Sequence, residues 1–357
     1  MLGELPGEIL LVINDHLTSV EDKAHAVSVS LRLHSIFQPV IEKLEKQAAK
    51  EAAEYAIYPT KENVEKLKEL LKDCPALLLH PVIVKNRHGK VINGTVYQVA
   101  LHECDDELIN DVIKPAFKKL HNGLETMEVQ RKIWLPEGWL EAEERACASA
   151  LAAIDNLFAA FENASNPNDV TESPQHPFTI TINHQGAKAA LDAYQKAIDS
   201  LYTPTNEVIT GGRDPGTRLL ERIMDRYEKY NALGGFNTPR NNALLRKGFG
   251  YAQQFAPVNF MQTFAQGPYY IVENKEKLTR SFEYRNWRGH FILSVDSDPL
   301  FRLGHEYFAD AAASVREGRG TALWGWGGFY KTFCQSKTAA ALQSCIMQSW
   351  KSDCAIM

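Results

Sequence analysis

The sequence predicts a mainly α-helical chain with a few short strands. Three observations carry that reading. Apolar residues recur at three- and four-residue spacing through most of the chain, a stretch rich in Lys, Glu and Ala fills positions 41–78, and an Ala-rich one fills 140–163. Only two short runs, Val82–Ile92 and Phe178–Ile182, have the pattern of strands. The 357 residues are 45% hydrophobic and 23% charged, enough apolar matter for a real core. At roughly 150 residues per domain the length suits two to three domains. A net charge of -5 argues against a dedicated nucleic-acid binder. No apolar run approaches the length of a membrane-spanning helix.

The elements follow in order. Pro6 opens a first helix at a position where its missing N–H costs nothing, and Ile9, Ile13 and Leu17 form one apolar stripe. Thr18 or Ser19, followed by Glu21 and Asp22, starts a second helix with capping chemistry. Val27–Phe37 is a third. Three helices in about 40 residues are too small to complete a core and need a partner surface. A helical region over 46–164 comes next. One helix leads to Pro59-Thr60, and a second carries Val64, Leu67, Leu70 and Leu71 before Cys74-Pro75. Asn86-Arg87-His88-Gly89 reads as a hairpin turn, and helical segments follow at Gly94–Leu101 and Asp106–Ile113. After a break at Trp134–Trp139, an Ala-rich helix occupies roughly 140–163. Residues 165–177, rich in Asn, Pro and Ser, read as a linker. An α-rich domain over 178–335 has helices near 186–201 and 215–231, and residues 336–357 form a tail.

Enzyme signatures are sparse. Gly211–Gly216 lacks the Gly-Lys-Ser/Thr ending of a phosphate loop and reads as a turn. His305-Glu306 lacks the second histidine of a zinc-protease helix, and no Gly-x-Ser-x-Gly elbow occurs. The six cysteines include no Cys-x-x-Cys pair, so no metal and no cofactor is expected, and scattered thiols suit a reducing compartment. The first 30 residues have no basic region ahead of an apolar one, so no standard secretory signal is expected. Residues 232–290 are polar yet aromatic. Arg240, Asn241, Arg246, Tyr251, Gln262, Gln266, Tyr270 and Arg280 there suggest a ligand or catalytic pocket, or else a buried network that fixes helix packing.

The ends carry the strongest motifs. Cys354-Ala355-Ile356-Met357 is a C-a-a-X box of the farnesyl type, which makes Cys354 the expected prenylation site. One prenyl chain holds weakly, so a second signal is expected, and Cys345 is the candidate for acylation. At the other end, Leu5-Pro6-x-Glu8-Ile9-Leu10-x-x-Ile13-x-x-x-Leu17, then Asp22, then Val29-Ser30-x-Arg32-Leu33, resembles an F-box. The family often has an aromatic residue where Leu33 stands. The resemblance covers roughly residues 4–40 and implies docking on the Skp adaptor of cullin–RING (SCF) ubiquitin ligases. The implied contacts are Leu5, Pro6, Ile9, Leu10, Ile13, Leu17, Val29 and Leu33. The region around Val64 and Leu108 resembles degenerate ankyrin-type helix pairs. Residues 232–290, with Val84–Leu101, resemble sequences recurring in Legionella-type translocated effectors.

Together these resemblances imply a bacterial effector delivered into a host cell. Its F-box would recruit a host ubiquitin ligase to a host protein, and its farnesyl group would hold it at a host membrane. The alternatives are a host-modifying enzyme that uses the 232–290 cluster, or a prenylated binding scaffold without a ligase link.

Overall fold

A computed structural model describes residues 31–172, 180–232, 238–266, 271, 275–281, 284–285 and 291–293. The fold is mainly helical with a few short strands, as the sequence predicts. The N-terminal half begins with α1 (Leu31–Ile57) and α2 (Lys61–Asp73). The α1 helix runs without a break across residue 45, where the sequence suggested a boundary. Ala49, Ala52, Ala53 and Ala56 form its buried face, and their small side chains allow close approach of neighbouring elements. Thr60 caps α2 by accepting the Asn63 N–H at 3.2 Å. Val64, Leu67 and Leu71 then turn inward together.

A short 3-10 turn (Pro75–Leu79) leads into β1 (Val82–Lys85) and β2 (Val91–Gly94), which pair antiparallel with Ile83 opposite Asn93. The turn between them is the one expected from sequence. Asn86 Oδ1 accepts the N–H groups of His88 and Lys90, each at 3.0 Å, and Gly89 takes φ +76°. The next helix, α3 (Val96–His102), opens with a capping box in which Thr95 and Gln98 satisfy each other's backbone N–H.

A nearly continuous helical run follows: α4 (Asp106–Leu108), a π-type turn (Ile109–Ile113) and α5 (Lys114–Phe117). It leads to α6 (Gly123–Trp134). Trp134 sits across the end of β2, and a Cβ at Gly94 would lie 2.9 Å from its ring. Val64 and Leu108, the positions matched in the repeat-like reading, lie in the same core.

The C-terminal half is built on α7 (Trp139–Asn163). Its buried residues Cys147, Leu151, Ile154, Leu157, Phe158 and Phe161 follow helical spacing. A small antiparallel pair follows, β3 (Val170–Glu172) with β4 (Ile180–Ile182), so β3 lies inside the stretch expected to be a linker. Against α7 pack α8 (Gln185–Tyr202), through Leu191, Tyr194 and Ile198, and α9 (Pro215–Ala232), through Leu219, Leu220, Ile223 and Met224. Then come α10 (Pro239–Ala243), a π-type turn (Leu244–Phe249), α11 (Gly250–Gln253) and α12 (Val258–Gln266). A last pair is β6 (Tyr284–Arg285) with β7 (Phe291–Leu293). Among the described residues no helix is long and apolar enough to cross a membrane.

Two hydrophobic cores result, one formed by residues 49–139 and one mainly by residues 147–260. They interlock. Between α8 and α9, β5 (Val208–Ile209) pairs parallel with β2, so the C-terminal half adds a strand to the N-terminal sheet. The functional question therefore centres on the seam between the cores.

Candidate functional site

Three chain segments meet at the seam: the β1–β2 turn, the residues leaving α3, and the loop entering α9. From the turn, Arg87 crosses into the second core. Its guanidinium donates to the Met261 sulfur at 2.9 Å and to the Ala256 carbonyl. His88 stacks on Phe255 at 5.5 Å and tilts against Tyr202 at 4.6 Å. Burial, then the nearby Arg87 charge, lowers the His88 pKa to about 4, so this imidazole is neutral at pH 7.

Behind α3 lies a buried run, His102-Glu103-Cys104-Asp105. His102 Nδ1 lies 3.0 Å from the Gly212 carbonyl, which also accepts the Trp134 indole N–H at 2.8 Å. A carbonyl can only accept, so Nδ1 carries the proton and Nε2 keeps its lone pair. Burial also lowers the His102 pKa. Glu103 is 4% exposed, and burial, followed by repulsion from Asp214, raises its pKa well above the usual range.

Asp105 is fully buried. It caps α4 through the Leu108 N–H and accepts both arms of the Arg280 guanidinium. The Cys104 thiol is pushed up to about 12 by burial, so it is no nucleophile at neutral pH.

The third segment holds Arg213 and Asp214. Arg213 forms a buried fork on Glu143 at 2.7 and 3.2 Å and lies over the Trp139 ring at 4.5 Å. Asp214 is the residue before Pro215 at the start of α9. Its Oδ1 accepts the Gly216 N–H at 2.7 Å and the Tyr202 hydroxyl at 2.9 Å. A ring nitrogen of His102 and one carboxylate oxygen each of Glu103 and Asp214 lie within 4.8 Å of one another, and all three residues are buried. They are the ligand-type cluster found among the described residues.

No family model, curated protein or solved structure matches this chain.

The residues singled out from sequence fall in different places. Leu5, Pro6, Ile9, Leu10, Ile13, Leu17, Val29, Tyr270, Cys345 and Cys354 lie outside the described residues, as do the side chains of Leu33 and Arg246. The described members of the 232–290 cluster occupy three settings. Arg240 donates to the Ala164 carbonyl at 2.9 Å, and Asn241 to the Tyr227 hydroxyl at 3.0 Å. Tyr251 donates to Asp199. Gln262, Gln266 and Arg280 do come together. Gln262 donates to the carbonyls of Pro59 and Arg280, Gln266 bridges Lys277 and Thr279, and Arg280 holds Asp105.

His102, Glu103 and Asp214 were not singled out by sequence reasoning. Asp214-Pro215-Gly216 has the form of a helix cap, and His102-Glu103 ends a helix. Neither pattern signals a ligand, and only the fold brings them together.

Beside this seam runs an open groove of about 670 Å³ between α2, the α4 turn and residues 275–280. Lys61, Lys68 and Lys277 line it, with Glu65, Glu107 and Asp111.

Proposed function

We propose that this protein is an adaptor that links an SCF-type ubiquitin ligase to a protein substrate. In this reading residues 4–40 dock on the Skp adaptor, and a prenyl group on Cys354 holds the assembly at a host membrane. The helical body presents the substrate. The observation that carries the reading is the apolar spacing Leu5-Pro6-x-x-Ile9-Leu10-x-x-Ile13-x-x-x-Leu17, in a segment too small to finish its own core.

The body supports it in two ways. Arg240, Asn241, Tyr251, Gln262, Gln266 and Arg280 are each engaged in holding backbone or a neighbouring side chain, which suits a rigid platform better than a catalytic pocket. The groove beside α2 has charges of both signs on a partly apolar floor that includes Val64, Leu108 and Val112. That lining suits an extended peptide of mixed charge.

The test is affinity purification from eukaryotic cells, read for cullin subunits, ubiquitin conjugates and the mass of the C-terminal peptide. The adaptor reading expects cullin and Skp in the eluate, lost on joint Leu5→Ala and Pro6→Ala substitution, and a farnesyl adduct on Cys354. Cullin subunits retained by that double variant, or absent from the wild-type eluate, would refute the docking assignment.

A further inference from the structure

The seam cluster holds three acceptors facing one another. His102 is 2% exposed, its Nδ1–H is committed to the Gly212 carbonyl, and its Nε2 has no hydrogen-bond partner. A buried lone pair without a donor is costly, and native structures seldom leave one. The groups nearest to it in kind are the carboxyl groups of Glu103 and Asp214, which in their ionised forms only accept. Asp214 Oδ1 already takes two donors, and Oδ2 takes part in neither of those bonds. Arg87 brings positive charge to this side of the seam, yet its guanidinium donates to Met261 and Ala256. One unpartnered imidazole nitrogen converging with two carboxyl groups is an arrangement that a cation satisfies, with any proton on Glu103 displaced as the ion binds.

We propose that His102, Glu103 and Asp214 bind one divalent transition-metal ion of the zinc type. The imidazole selects against calcium and magnesium, which prefer oxygen ligands alone. The absence of a thiolate from the trio places the site among the mixed nitrogen and oxygen sites open to zinc, manganese or iron. The second shell is already built. The Gly212 carbonyl fixes the His102 tautomer and aims Nε2, as backbone carbonyls do for metal-bound histidines elsewhere. Tyr202 and the Gly216 N–H hold Asp214 in the same way.

The position gives the ion a role. His102 and Glu103 end a helix of the first core, and Asp214 begins a helix of the second. A bound ion would staple the two cores, next to the backbone bond from Asp214 N–H to the His102 carbonyl at 2.8 Å. The site lies in the body, so it stands or falls independently of the N-terminal docking segment.

The experiment uses the full-length, tag-free chain, stripped with a chelator and titrated with zinc by calorimetry and with cobalt by visible absorption. One tight equivalent is expected, with a higher melting temperature in the loaded form. His102→Gln and Glu103→Gln should each weaken that equivalent by at least about 100-fold, the upper range seen when mere outer-shell partners are removed. Glu103→Gln carries the test if His102→Gln does not fold, because the Glu103 carboxylate takes part in none of the hydrogen bonds described above. Failure of the wild-type chain to take up either metal would overturn the proposal. So would equal affinity in a folded Glu103→Gln variant, which would place the ion on other histidines or thiols.

Discussion

His88 shows how one residue ties the two halves together. It sits on a hairpin turn of the first half, yet its ring is packed against the stacked pair Tyr202 and Phe255 of the second. Its folded pKa of about 4 lies below the ordinary 6.5. The unfolded chain therefore binds an extra proton between those values, and stability falls as pH drops from about 6.5 through about 4. Fully developed, the loss is on the order of 3 kcal/mol. His102, also lowered by burial, acts in the same direction. Denaturant unfolding measured across pH 4–7 should show this slope. His88→Phe keeps a ring against Tyr202 and should flatten the slope by about one proton. An unchanged slope would mean that His88 titrates freely in the folded chain. From sequence this residue could be placed in a turn, because Asn and Gly flank it. Its burial could not be read there, since the aromatic rings that cover it lie more than a hundred positions away.

At the scale of elements, α7 carries the second core, and two neighbouring positions on it separate burial from charge. Ile154 is fully buried in the core that α7 shares with α8 and α9. Ile154→Ala should cost about 2–5 kcal/mol in denaturant unfolding, because a cavity remains where the side chain stood. Asp155, next along, accepts Arg222 and Arg226 from α9, but all three side chains are partly exposed. Asp155→Ala should cost only about 1 kcal/mol or less, and less still in high salt. The opposite ranking would mean that α7 is held by its ion pairs.

The long helices were legible because their periodicity is strong: the stretches expected near 140–163, 186–201 and 215–231 appear as Trp139–Asn163, Gln185–Tyr202 and Pro215–Ala232. The hairpin turn was legible from Asn86 and Gly89. Less legible was β5, only two residues long and defined by its pairing with a strand far away in sequence. The same holds for β3, whose Val170–Glu172 lies among Asn and Pro residues that punctuate a chain.

At the scale of the whole molecule, two cores are joined by a shared sheet, by the Arg280–Asp105 fork and by the polar seam around His102 and Asp214. Such joining makes the body one platform, on which the groove beside α2 keeps a fixed relation to the rest of the described residues. The polar residues of 232–290 were visible in the sequence as a group. Whether they form a pocket or a packing network depended on partners such as Pro59, Asp105 and Ala164, which no local pattern reveals. The central claim is that the N-terminal segment of this platform completes its burial on a borrowed adaptor. Calorimetry of the purified full-length chain with a purified eukaryotic Skp adaptor tests it most directly. The account predicts a one-to-one complex, weakened about 30-fold or more by joint Leu5→Ala and Pro6→Ala substitution, as expected when anchor residues at an interface centre are truncated. No heat of binding from the wild-type chain, or equal affinity in a double variant with unchanged circular dichroism, would contradict it.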